Sequence, residues 1–201
     1  MGLPVAVSGP EPAGRPGALW RLLAPDLWAP HPDAIDLGEL ARRGIRCLLV
    51  DVDNTLAPWG ERRLDDGARR FVGRARRAGL RVVILSNSGP SRRAWAAASL
   101  GVPAAPGVKP LPWLLRRAAR RVGCRPRETA VVGDQLWTDV LGARLAGMWA
   151  VLVDPLHERE HLLTRLGRRV EALCLTRMAR GGWVSPERVA ARLGRRAGRR
   201  P

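Results

Sequence analysis

Residues Ile45 to Leu56 read IRCLLVDVDNTL. Ile45, Cys47, Leu48, Leu49 and Val50 form an apolar run that ends in Asp51 and Asp53, followed by Asn54 and Thr55. Such a run predicts a strand covered on both faces, as in a parallel sheet flanked by helices. In open parallel sheets the ligand crevice lies beyond the carboxyl ends of the strands. Two carboxylates two residues apart there repel each other unless something positive sits between them. A divalent cation held by oxygen ligands, with Mg2+ the best match, answers that need. Taken alone, the stretch also fits a strand followed by an Asp-rich turn.

The 201 residues suffice for one domain with a core, plus tails. Residues 1–17, rich in Gly and Pro, read as a disordered tail, and residues 18–183 as the domain. Residues 184–201 read as an Arg-rich, solvated tail with a frayed helix. No stretch reaches the ~20 apolar residues of a membrane span. No apolar segment follows a basic start, so no secretory signal is expected. Cys47, Cys124 and Cys174 lack CxxC spacing; they read as free thiols of a reducing cytoplasm, not a zinc site or disulfide framework.

The formal net charge is +17, yet of 35 basic residues only Lys109 is lysine. With no Tyr and one Phe, the Arg excess has the look of a GC-rich coding bias. The charge therefore argues only weakly for an anionic surface partner, lipid or nucleic acid, and not for sequence-specific readout. The single lysine carries more information, because a compact ammonium retained among arginines marks a position that needs one.

Downstream the pattern alternates. Helical spacing over Leu64–Ala78 precedes a second apolar strand, Leu80–Leu85, ending in Ser86-Asn87-Ser88. A helix over Pro90–Leu100, the sequence Val108-Lys109-Pro110 and a helix over Leu111–Val122 follow. Thr129–Val132 is a strand running into Gly133-Asp134, Leu136–Ala146 a helix and Trp149–Val153 a strand. Leu162–Arg180 places Leu162, Leu166, Val170, Leu173 and Met178 on one helical face. Before the first strand, Leu19–Leu40 carries Trp20 and Trp28 between prolines. That segment reads either as a helical lid on the domain or as an interfacial segment with indoles at headgroup level.

Right-handed crossovers bring the strand ends to one sheet edge, gathering Asp51, Asp53, Ser86, Asp134 and Asp139, with Lys109 opening a helix between them. The order DxDxT, strand-end Ser, Lys-Pro and GDxxxxD resembles the haloacid dehalogenase phosphatases. LLVDVDNTL, VVILSNS, GVKP and VVGDQLWTDVLGA look like subfamily IIIA, the YqeG-like group, which includes the mitochondrial phosphatidylglycerophosphate phosphatases. The resemblance runs from about Leu22 to Gly182. It implies a Rossmann-like three-layer α/β/α sandwich with a mainly parallel sheet.

By that resemblance Asp51 is the nucleophile that forms an aspartyl-phosphate, and Asp53 the general acid and base. Thr55, Ser86, Asn87 and Lys109 contact the phosphate, Lys109 also offsetting charge in catalysis. Asp51, Asp53 (through its backbone carbonyl), Asp134 and Asp139 form the Mg2+ site. The chemistry needs these types independently: a carboxylate attacking an anionic phosphate is repelled unless a metal and an ammonium offset the charge. A covalent intermediate then replaces one hard step with two easier ones. Ser88 departs from the Ser-Asn-Asn expected of bacterial relatives. Pro58-Trp59 reads as the floor of substrate access or as a packed loop.

Only 32 residues separate Asp53 from Ser86 and 22 separate Ser86 from Lys109, too few for a cap domain. An open site suits a phosphate carried on something large. Phosphatidylglycerophosphate at a membrane surface is the first expectation, for an enzyme in the cytoplasm peripheral to the inner membrane. A phosphoprotein, a nucleic-acid end or a small phosphate ester is the second. A basic RNA-binding protein on an inactive scaffold is the third, disfavoured because every expected catalytic residue is present.

Overall fold

The computed structural model describes residues 17–157 and 162–197. Five strands, β1 (Leu27–Ala29), β2 (Cys47–Val50), β3 (Arg81–Ile84), β4 (Thr129–Gly133) and β5 (Trp149–Val153), form one sheet in the order β1-β5-β4-β2-β3. Every pairing is parallel, and the register sets Val50 level with Ile84 and Val132. After β2 the chain turns to one side of the sheet, and after β4 to the other. The switch point therefore lies between β2 and β4, where open α/β sheets hold their ligands.

Alternation along the strands makes two cores. Leu48, Val50, Val132 and Val151 pack with Phe71 and Val72 of α3 (Asp66–Arg77), Leu40 of α2 (Leu37–Arg42) and Ala96 of α4 (Pro90–Leu100). Cys47, Leu49, Val131 and Leu152 pack the other way, with Leu115 of α5 (Pro112–Arg121) and Ala143 of α6 (Leu141–Ala146). Leu23 of α1 (Ala18–Leu23), Met178 of α7 (Leu162–Arg180) and Val189 of α8 (Pro186–Ala197) join this second core. The strands read as continuous apolar runs because both faces are covered. Cys47 and Cys124 are buried, and burial, with Cys124 adding to it, pushes the Cys47 thiol up to about 12.

Three expectations change. The Leu19–Leu40 segment does pack on the domain through a helix, α1 burying Leu23, but it also contains an edge strand, Leu27–Ala29, paired with Val151–Val153. Trp28 is interior, its Nε1–H donating to Asp154 Oδ1 at 3.0 Å, and Trp20 lies 5.5 Å from the Trp183 ring. Three residues between prolines are too short to announce a strand, and the pairing with β5 supplies what local pattern lacks. In α7 the inward residues are Glu171, Leu175 and Met178, whereas Val170 and Leu173 are exposed, Leu173 at 72%. The side chains of Leu162 and Leu166 lie outside the described residues. A buried carboxylate picks that face, which a search for apolar spacing passes over.

The third change concerns the Arg-rich end. Instead of a solvated tail, Pro186–Ala197 is a helix with Val189 and Arg192 buried. The guanidinium of Arg192 donates to the backbone oxygens of Val153 (2.7 Å) and Asp134 (2.6 Å) and to Glu171 Oε1 (2.6 Å). It also contacts Asp154 Oδ1 at 3.3 Å and stacks 5.6 Å from the Trp28 ring. The expected disordered segment lies outside the described residues apart from Gly17.

Among the described residues, only α3 and β3 separate Asp53 from Ser86, and only α4 separates Ser86 from Lys109, so no cap covers the carboxyl edge. No described helix is long and apolar enough to cross a membrane.

Candidate active site

Asp51 leaves β2 with its N–H donating to Val132 O at 2.9 Å, which fixes it beside β4 at the switch point. The chain then folds back, with Leu56 and Ala57 N–H both donating to Val52 O. Asn54 takes a left-handed conformation (φ 58°) in this turn, which Asn tolerates better than other non-glycine residues. Asp51, Asp53 and Asn54 thereby line one cleft of about 430 Å3, with Ser86, Asn87, Ser88, Arg92 and Lys109 across from them.

The Lys109 ammonium lies 2.8 Å from Asp51 Oδ1 and 2.5 Å from Asp139 Oδ1, almost fully buried. Burial alone would lower its pKa, but Asp139 and Asp51 more than offset that and hold it above the ordinary lysine value. For Asp139 burial acts in the opposite sense and pushes the carboxyl upward against the pull of Lys109. An ammonium between two carboxylates is the charged state this geometry favours. Asn87 fixes the lysine backbone: its Oδ1 accepts from Lys109 N–H (2.7 Å) and its Nδ2–H donates to Lys109 O (3.0 Å). The oxygen and one N–H of that amide are thus engaged on the lysine backbone.

Asp139 sits in a wide π-helical turn, Leu136–Val140, that opens α6. Its Oδ2 accepts from Gln135 N–H at 3.0 Å. This carboxyl packs against Gly133, where an added Cβ would lie 2.2 Å from the Asp139 carboxyl carbon. Gly133→Ala is therefore expected to displace Asp139 from Lys109 and to cost roughly 10- to 100-fold in metal affinity or activity, as outer supports of metal sites typically do. Divalent-ion titration of the variant alongside wild type checks this.

One carboxylate oxygen from each of Asp51, Asp134 and Asp139 can be chosen so that all lie within 4.8 Å of one another, and all three residues are buried. Hard oxygen donors and an excess of carboxylates over ammonium fit a small divalent cation such as Mg2+. The Asp53 carboxylate stands outside this cluster. Its Oδ1 accepts from Arg92 Nε (3.1 Å) and Nη2 (2.7 Å), and its Oδ2 accepts from the Ser88 hydroxyl. Since Ser88 gives its proton to Asp53, the 2.8 Å contact between Ser86 Oγ and Ser88 Oγ has Ser86 as donor. The serine in place of the expected second Asn thus links the second strand's end to Asp53.

The structure brings Asp51, Asp53, Ser86, Asn87 and Lys109 to the cleft, with Asp134 and Asp139 behind it. Thr55 is not brought there. Its hydroxyl is buried beneath the turn and meets no hydrogen-bond partner among the described residues. Sequence reading missed Arg92, Gln135 and Thr138 and gave Ser88 no role, yet all four line the cleft. Arg92 is hidden among the chain's many arginines; its place one turn into the helix after Ser86 is the one signal that could have singled it out. Trp59 lines the cleft and is 45% exposed, so its loop is not simply packed away.

An acid-flanked ammonium at the switch point of a parallel sheet, beside strand-end hydroxyls, is the arrangement of an aspartate-based phosphatase. A family model described as haloacid dehalogenase-like hydrolase matches residues 12–147, and the chain belongs to that family. It is 29% identical over 170 residues to "Probable phosphatase YqeG" of Bacillus subtilis, covering 84% of this chain and 99% of that protein. It is 40% identical over 97 residues to a phosphoserine phosphatase of Thermus thermophilus, covering 43% of this chain and 39% of that one. A solved structure 15% identical in sequence superposes with a TM-score of 0.52 over 78% of this chain and all of that one, a likeness of fold.

Proposed function

We propose that this phosphatase is Mg2+-dependent and removes the terminal phosphate of phosphatidylglycerophosphate at a membrane surface, working from the cytoplasmic side. The observation that carries the reading is the uncapped cleft around Asp51 and Lys109. With no cap to enclose a small metabolite, the site suits a phosphate displayed on a large body.

The rim supports a lipid over other large bodies. Trp59, Val108 and Trp113 are 45%, 53% and 59% exposed, and they make up half of the exposed large hydrophobic residues among those described. Trp59 lines the cleft, Val108 precedes Lys109, and Trp113 is in the first turn of α5 at the same sheet edge. Indoles on an apolar rim, on a chain of net charge +17, suit an anionic bilayer.

In the proposed reaction an Asp51 carboxylate oxygen bonds to phosphorus as the bond to the lipid alcohol breaks. Asp53 must first take up a proton from solvent, which it then gives to the leaving oxygen. Water then attacks the aspartyl-phosphate, Asp53 takes the proton back, and inorganic phosphate leaves with Asp51 restored. Ser86 turns its O–H from Ser88 to a phosphoryl oxygen. Lys109 holds Asp51 in place and offsets phosphate charge. Asp51, Asp134 and Asp139, with the Asp53 carbonyl, would hold Mg2+, which supplies charge neutralisation at the phosphoryl oxygens.

The test is phosphate release from vesicles containing phosphatidylglycerophosphate, with and without a chelator. Release that is lost on chelation and restored by added Mg2+ is expected. Equal rates with and without the metal would reject the metal dependence. Hydrolysis of soluble phosphate esters with none of the vesicle lipid would reject the lipid substrate.

A further inference from the structure

We infer that the sheet edge opposite the cleft is a docking surface for single-stranded RNA, whose phosphates meet a cluster of arginines that lack carboxylate partners. Strands β2, β3 and β4 all start at that edge, a strand length of about 13 Å from their catalytic ends. Arg46 precedes β2, Arg81 opens β3, and Arg125 and Arg127 precede β4. Backbone bonds lock these entries side by side: Arg81 N–H donates to Arg46 O at 2.9 Å, and Arg46 N–H to Glu128 O at 2.7 Å. The Arg81 guanidinium donates to Val122 O, which draws the end of α5, with Arg120 and Arg121, up to the same row. All six arginines are exposed, and none forms an ion pair among the described residues.

One carboxylate stands among them. Glu128 spends an oxygen on Arg125 N–H (2.8 Å), and that bond, with the charges of Arg125, Arg46 and Arg127, holds its carboxyl below the usual range. Several guanidinia thus converge on a single negative charge, an excess that a ligand can meet. A coding bias raises the number of arginines, but it does not gather them at one edge or keep acids away. Helix polarity accounts for Arg120 and Arg121 in the last turn of α5. It does not account for Arg46 or Arg125, which lie outside every described helix. A bilayer is a poor match, since none of the exposed large hydrophobic residues belongs to these segments. The row also passes from strand entries to a helix end one layer away, a path that a flexible strand follows and a stiff duplex does not. Guanidinium forks grip phosphate, so the contact reads the backbone and not the bases. On the cytoplasmic side proposed above, the flexible phosphate polymer within reach is RNA.

Binding is measured without turnover, so its failure leaves the phosphatase reading standing, and failure of that chemistry leaves the binding standing. The probe is a fluorescein-labelled, unstructured RNA of about 20 nucleotides, followed by anisotropy against the full chain over a salt series. With about five phosphates neutralised, log affinity is expected to fall against log salt with a slope of roughly −3.5, about 100-fold between 50 and 200 mM. Replacing Arg46, Arg120, Arg121 and Arg127 together by Gln should flatten the slope by roughly 3. Those side chains are exposed, so the native melt should be kept, as should hydrolysis of a soluble phosphate ester. A second variant removes the same charge elsewhere, with Arg62, Arg63, Arg177 and Arg180 each changed to Gln, and should bind as wild type does. Equal weakening in the two variants would show that net charge alone attracts the RNA and would overturn the inference. A wild-type slope flatter than about −1 would overturn it without any variant. So would capture of the wild type by anionic vesicles, through the first four arginines, with no binding to the RNA.

Discussion

Asp51→Asn is expected to silence the enzyme, with kcat falling by a factor on the order of 10^5, the scale on which loss of a covalent nucleophile is felt. The side chain keeps its size but loses the anion that must attack phosphorus. Lys109 would keep its 2.5 Å contact with Asp139, so the fold should survive. Phosphate release under saturating substrate, together with a thermal melt showing the native transition, checks both halves. Turnover within a hundredfold of wild type would place the nucleophile elsewhere.

Arg192→Met should unfold the protein more readily than any surface change. The guanidinium, 2% exposed, is the partner of two buried carboxylates, Glu171 and Asp154. Deleting one member of such a set weakens the compensation of buried charge and costs about 3–5 kcal/mol. For a domain of this size that lowers Tm by roughly 10 °C or more. Adding Glu171→Gln to the variant should recover part of the loss, because it removes one buried negative charge; the two substitutions will not be additive. A loss under 1 kcal/mol in denaturant titration would show that the cluster is worth little. Metal affinity should fall as well, since Arg192 also clamps the backbone oxygen of Asp134.

The central strands and the acids at their ends were legible because both depend on local pattern. Apolar runs broken by Asp51, Ser86 and Gly133-Asp134 need no knowledge of distant contacts, and parallel topology carries them to one edge. The lone lysine gained meaning only from its arginine background. What stayed hidden depends on partners far away in the chain. Leu27–Ala29 is a strand only because β5 accepts it, and Arg192 is interior only because Glu171 and Asp154 await it. Thr55 and Asn87 fall in motifs that point at phosphate, yet the folded chain spends one beneath the turn and the other on the lysine backbone. Spacing can say that such residues arrive near the site, but not which way an amide turns on arrival.

The clamp between Arg192 and the Asp134 carbonyl spans 58 residues. During synthesis, all the acids of the cleft leave the ribosome well before that donor does. A nascent chain ending after β5 would hold every catalytic carboxylate and still lack the guanidinium that secures Asp134. The securing of the Asp134 carbonyl thus waits on α8, and a chain cut short before Arg192 would be incomplete beside its cleft as well as at its edge.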